Sequence, residues 1–114
     1  MVTPELIDKA VRILIEEANP VEVILFGSYA RGTQRLDSDL DILVVERSVP
    51  RPTAEVARLR RALSPLRIPV DVLVVDQARR HSAWADFPGS YLYDALHEGK
   101  VLYALDRASA PARP

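Results

Sequence analysis

Asp39 and Asp41 stand two residues apart at the head of an apolar run that continues through Ile42, Leu43, Val44 and Val45. In a strand, alternate residues share a face, so both carboxylates leave on the same side, about 7 Å apart. Two bare carboxylates against apolar surface repel each other. A hard divalent cation such as Mg²⁺ relieves this, because it takes carboxylate oxygens and leaves the rest of its shell to water and phosphate. Asp71 is the one polar residue in a second apolar run, Val70 to Val75. If the two strands are neighbours, Asp71 completes a three-carboxylate set suited to two-metal phosphoryl chemistry. One ion would hold nucleotide phosphates. The second would lower the pKa of an attacking hydroxyl, with Asp71 as extra ligand or as base.

Upstream lies Phe26-Gly27-Ser28-Tyr29-Ala30-Arg31-Gly32. Gly27 and Ser28 follow a strand candidate and open a helical turn, a geometry that presents backbone N–H groups to an anion. Glycine allows close backbone approach or positive φ, and the Ser28 hydroxyl can donate to a phosphate oxygen. Arg31 and Arg35 are within reach to clamp a triphosphate by charge-assisted bonds. Ser38, next to Asp39, is a second candidate phosphate group. Each of these has an ordinary structural counterpart: acids at an exposed strand start, an edge acid paired with arginine, a turn glycine, a cap serine, surface arginines. Their combination within one short stretch points to chemistry.

The elements that must carry these residues follow from patterning. Thr3 caps and Pro4 starts a helix over residues 3–18, with Leu6, Ile7, Ala10, Val11 and Leu14 at helical spacing. Val21–Phe26 is a strand dense in β-branched residues. Ser28 to about Gly32 is a short helical turn, and Asp39–Val45 a second strand, covered on both faces. Thr53 caps a helix running to about Leu63. Val70–Val75 is the third strand, and Asp76 caps a short helix over Gln77 to Ala85. Ser90–Glu98 is the last helix, with Gly99 at its C-terminal cap position, and Val101–Leu105 a short edge strand. The class is α/β or α+β: a small mixed sheet flanked by helices. The expected domain is 1–107, followed by a disordered tail, 108–114, with two of the chain's prolines.

Composition narrows the function classes. At 114 residues the chain is the size of one domain, with 48% hydrophobic and 27% charged residues, so disorder is excluded. Cysteine is absent, which removes disulfides, thiolate catalysis and Cys-based zinc sites. No apolar run is long enough to span a bilayer, and the N-terminus has no secretory pattern, so a cytoplasmic location and no membrane association are expected. A net charge of −1 argues against direct nucleic-acid binding. Charge is uneven, however: residues 1–46 hold nine acids and four bases, residues 47–80 eight bases and three acids. Outside the motif, Tyr29 either stacks on a base or packs on its helix. Trp84 and Phe87 either anchor an interface or pack a loop. His81 and His97 read as helix-surface residues.

Gly27-Ser28, ten intervening residues and then Asp39-Leu40-Asp41 resembles the signature of DNA-polymerase-β-like nucleotidyltransferases, with Asp71 falling where that superfamily has its third carboxylate. The resemblance runs over about residues 5–105. At this length the chain looks like a minimal nucleotidyltransferase (MNT), the antitoxin partner of HEPN-domain toxins, and the segment from Tyr91 to Tyr103 is similar to that group's C-terminal end. The resemblance implies a nucleotidyltransferase fold and two Mg²⁺ ions on Asp39, Asp41 and Asp71. It implies nucleotide binding by Gly27, Ser28, Arg31, Arg35 and Ser38, with AMP passing from ATP to a tyrosine of a partner HEPN ribonuclease. Two alternatives remain: an antitoxin that neutralises its partner by contact alone, and a dimeric enzyme acting on small molecules. Self-association stays open.

Overall fold

The computed structural model describes residues 1–105. Helix α1, Pro4–Ala18, begins as patterning requires: the Thr3 hydroxyl accepts from the Leu6 N–H at 3.2 Å, and Pro4 fills the first turn. It ends on Asn19 in the left-handed conformation, φ 46°, with the Asn19 N–H returned to the Ile15 carbonyl. Ala10, Val11 and Leu14 form its buried stripe. Strand β1, Glu22–Phe26, leads into helix α2, Ser28–Arg31, and then strand β2, Leu40–Glu46. Helix α3, Pro52–Leu63, and a 3₁₀ turn, Ser64–Leu66, lead to strand β3, Val70–Asp76. Helix α4, Gln77–Arg80, a second 3₁₀ turn, Ala83–Asp86, helix α5, Tyr91–Glu98, and strand β4, Lys100–Ala104, complete the order.

The four strands form one mixed sheet, ordered β3-β2-β1-β4. β1 runs antiparallel to both β2 and β4, while β2 and β3 are parallel, joined by α3 as crossover. Leu40, Ile42 and Val44 face one apolar layer with α1 and α3; Leu43 and Val45 face the other with Leu92 and Ala95 of α5. The central strands are therefore covered on both sides, which is why β2 reads as an unbroken apolar run. Ile42, Leu43, Val44 and Val45 are all fully buried.

Several boundaries differ from the sequence reading. β2 begins at Leu40, whose N–H pairs with the Pro69 carbonyl at 2.8 Å, so Asp39 lies just ahead of the strand. α3 starts two residues early, with Pro52 at its first position and Arg51, not Thr53, at the N-cap. The helix expected over Gln77 to Ala85 is interrupted. Ser82 Oγ donates to the Arg79 carbonyl at 2.6 Å and accepts from the Trp84 N–H at 3.3 Å, ending one turn and starting the next. Asp76 caps the helix that follows it, as read, accepting from the Arg79 N–H at 2.7 Å, and Ser90, read as the first residue of the last helix, is its N-cap, accepting from the Tyr93 N–H at 3.0 Å. Gly99 caps α5 without a left-handed turn, at φ −79°. Glycine is required there by space: a Cβ would lie 2.7 Å from Ile24 Cγ2 and 2.8 Å from the Leu25 carbonyl oxygen. The tail expected to be disordered, 108–114, lies outside the described residues.

Candidate active site

At one end of the sheet, the chain leaves β1, turns and starts α2. Gly27 makes this turn at φ 73° and ψ −155°, in the left-handed half of backbone space where a side chain is strained. Its carbonyl accepts from the Ala30 and Arg31 N–H groups, each at 3.1 Å, which starts α2 at Ser28. Gly27 also lies against the next strand: a Cβ built on it would run into Asp41 Oδ2 and stand 3.0 Å from Asp41 Cγ. This contact is invisible in the sequence, where the two residues are fourteen positions apart. The sheet register explains it, since Phe26 is the antiparallel partner of Asp41.

On its other side Asp41 is the register partner of Asp71 in the parallel β2–β3 pair, so the two side chains leave the same face. The neighbour relation that the sequence left conditional is thus realised. Asp41 is half-buried; Asp39 and Asp71 are exposed. Burial raises the Asp41 carboxyl above its ordinary value, the Asp71 and Asp39 carboxylates push it the same way, and the Arg31 guanidinium pulls it down. All three acids and Arg31 therefore share one electrostatic neighbourhood.

The remaining candidates divide. Arg31 faces this neighbourhood and is steadied by Glu98 of α5 at 3.9 Å, a partner that sequence spacing could not reveal. Ser28 is half-buried at the start of α2. Ser38 Oγ accepts from the Arg35 N–H at 2.7 Å, and the Ser38 N–H donates to the Arg35 carbonyl at 3.1 Å. The two residues thus close a turn, leaving the Ser38 hydroxyl proton and the exposed Arg35 guanidinium available to a ligand. In the loop between the two motif halves, Gln34 Oε1 is buried without a hydrogen-bond partner among the described residues. Nothing in the sequence marked Gln34. Tyr29 is packed, not open to stack: it is buried, and its hydroxyl accepts from the Val2 N–H at 2.9 Å. His97 stacks on Tyr93 with ring centroids 3.9 Å apart.

Among the described residues no three carboxylate or imidazole side chains converge as a ready-made ion cage. Mg²⁺ does not need one, since it is commonly held by one or two carboxylates together with substrate phosphates. The donor set fits a hard dication: oxygen ligands only, and a half-buried carboxylate disfavoured by two like charges.

A small mixed sheet, a glycine–serine turn at a helix start and acids facing each other across adjacent strands define a phosphate-handling transferase domain. The chain belongs to the nucleotidyltransferase domain family, whose model matches residues 7–102. Its enzyme class is nucleotidyl transfer. Solved structures share the fold. A toxin–antitoxin complex with AMP-PNP is 24% identical, at TM-score 0.63, covering 89% of this chain and 76% of that one. The MntA–HpeT toxin–antitoxin in a mutant form is 22% identical, at TM-score 0.64, with coverage of 90% and 77%. A tri-AMPylated HEPN toxin of Shewanella oneidensis in complex with MNT antitoxin is 19% identical, at TM-score 0.60, with coverage of 93% and 76%. Among curated proteins, none matches the chain.

Proposed function

We propose that this protein is an antitoxin that transfers AMP from ATP to a tyrosine hydroxyl of a partner HEPN ribonuclease, in a Mg²⁺-dependent reaction in the cytoplasm. The observation that carries the proposal is the row formed by Gly27, just past the end of β1, with Asp41 of β2 and Asp71 of β3. It gives one anion cradle and two carboxylates on a single sheet end. The likeness of the fold to toxin–antitoxin structures, one with AMP-PNP and one with an AMPylated toxin, supports the donor and the partner.

In this reading the backbone around Gly27 and the Ser28 hydroxyl bind the β- and γ-phosphates, with Arg31, Arg35 and Ser38 supplying further donors. Asp39 and Asp41 would hold Mg²⁺, with Asp71 as extra ligand or base. When bound, the ion neutralises phosphate charge and lowers the pKa of the attacking hydroxyl. Asp71, exposed on the outer strand β3, is open to an incoming hydroxyl.

The test uses ATP labelled at the α-phosphate, Mg²⁺, the protein and host lysate, with Asp39→Asn/Asp41→Asn beside wild type. A labelled protein band should appear with wild type only, while circular dichroism of the variant stays unchanged. Label transfer by the variant would overturn the assignment of these carboxylates. If the variant labels nothing yet still protects cells from the toxin, neutralisation is by contact.

A further inference from the structure

Trp84, Phe87 and Tyr91 are left in the open by the fold, at 47%, 56% and 42% exposure. An exposed aromatic cluster is the kind of apolar surface that calls for a partner. The cluster is held in place. Ser82 Oγ accepts from the Trp84 N–H at 3.3 Å, and Ser90 Oγ donates to the Trp84 carbonyl at 3.0 Å, so the backbone that carries the indole is tied on both sides. Phe87 stands edge-on to the indole with ring centroids 5.4 Å apart, and the Arg79 guanidinium lies over it at 5.3 Å. Trp84 and Tyr91 border a groove of about 640 Å³, walled by Pro52, Val74 and Val75. Successive strand residues turn to opposite faces. A groove lined by both Val74 and Val75 therefore wraps the outer edge of β3.

Two further observations say what the groove fits. Arg79 on its rim, and Arg51 beside Pro52, are exposed and have no ion-pair partner among the described residues. The acid that lines it, Asp76, already accepts from the Arg79 N–H. The complement of an aromatic groove with open guanidinium groups is an apolar side chain flanked by carboxylates, and Trp, Tyr and Arg are the residues that carry most binding energy at protein interfaces. The groove also reaches the face that carries the reacting carboxylates. Val75 shares a face with Asp71, four residues or about 13 Å back along β3. Val75 packs with Ala85 and Leu92, the chain neighbours of Trp84 and Tyr91. Resting on the function proposed above, we infer that this groove docks the protein acceptor, through an apolar side chain of the acceptor flanked by acidic residues. The acceptor is gripped at one end of β3 and presents its hydroxyl at the other, beside Asp71.

Trp84 is the chain's single tryptophan, so its fluorescence reports on the groove alone. The probes are acetyl-Glu-Leu-Phe-Glu-amide and its neutral counterpart acetyl-Gln-Leu-Phe-Gln-amide, titrated into the full-length protein. The acidic peptide should move the Trp84 emission to the blue, saturably, and bind several-fold more tightly than the neutral one. Arg79→Glu should weaken the acidic peptide about fivefold and abolish the preference. Trp84→Ala should slow label transfer from ATP to lysate protein several-fold, with its circular dichroism and its affinity for a non-hydrolysable ATP analogue unchanged. An unmoved emission, equal binding of the two peptides or a larger response to single-stranded oligothymidylate would overturn the inference. So would emission that changes with protein concentration alone and tracks self-association in sedimentation, which would seat a second copy in the groove. Its failure is distinct from failure of the proposed function. Label transferred equally well by wild type and Trp84→Ala removes only the docking groove; peptide binding at Trp84 with no label transferred to any protein removes only the reaction.

Discussion

Gly27 bears two demands at once, a positive φ and contact with the Asp41 carboxylate. Gly27→Ala meets neither. Backbone strain of this kind costs about 1–3 kcal/mol, and displacing a reacting carboxylate by about 1 Å can cost roughly 10²-fold in rate. The expected outcome is a measurable fall in melting temperature and a loss of AMP transfer larger than the lost folded fraction explains, read by α-labelled ATP at a temperature where the variant is folded. Gly32→Ala is the control: it too has positive φ, at 77°, but no atom lies within 4 Å of the added methyl, so only the stability cost should appear. Motif spacing made Gly27, Asp39 and Asp41 legible, because residue type and order are what a sequence records. That Gly27 lies against Asp41, that Glu98 pairs with Arg31 and that Gln34 Oε1 is buried depend on side chains brought together from distant segments, which no spacing rule encodes.

Between elements, one polar junction ties α1, β2 and α3. Arg58 donates to both Glu55 oxygens, at 3.0 and 2.8 Å, and to the Glu17 carboxylate and carbonyl at 3.2 and 2.8 Å. Glu46, at the end of β2, has a buried Oε2 that accepts no hydrogen bond. Burial and the facing Glu55 push the Glu46 carboxyl up to about 8, while Arg58 holds Glu55 below its ordinary value. Glu46 thus keeps its proton at neutral pH and donates it in a hydrogen bond to the facing Glu55. The sign follows: its folded pKa lies above the unfolded one, so its contribution is complete below about pH 4.5 and is lost as pH rises through about 8. Unfolding free energy from urea titrations should fall as pH rises from about 4.5 to about 8 and level off above that, and Glu46→Gln should flatten the fall. Capping gives a second check: Asp76→Ala removes the acceptor for the Arg79 N–H and should cost about 1 kcal/mol of stability. Caps were legible from residue type at Thr3 and Asp76, as was each strand, whereas Thr53 was displaced by Arg51 and Ser90 is a cap rather than the first helical residue. The break at Ser82 was not legible, because a serine that serves two turns at once looks in sequence like any serine in a polar stretch.

For the whole molecule, stability rests on the two apolar layers either side of β2. Leu43→Ala empties a fully buried position in the layer facing α5 and should cost about 2–5 kcal/mol, measured by urea unfolding, without a specific effect on nucleotide affinity while the protein is folded. The fold class was readable from alternating helix and strand patterns. The strand order was not, since apolar runs do not name their neighbours; that Asp71 lies opposite Asp41 depends on it. The same order sets the timing of synthesis. β1, the strand that ends at Gly27, pairs on one side with β4, Lys100–Ala104, the last strand of the sheet in chain order. While residues 100–104 are still in the ribosome exit tunnel, β1 has an unpaired edge and the layer under Ile24 lacks its cover. A ribosome-bound chain halted before that point therefore carries every motif residue and still lacks the finished sheet that aligns them, so the site matures only as the end of β4 emerges.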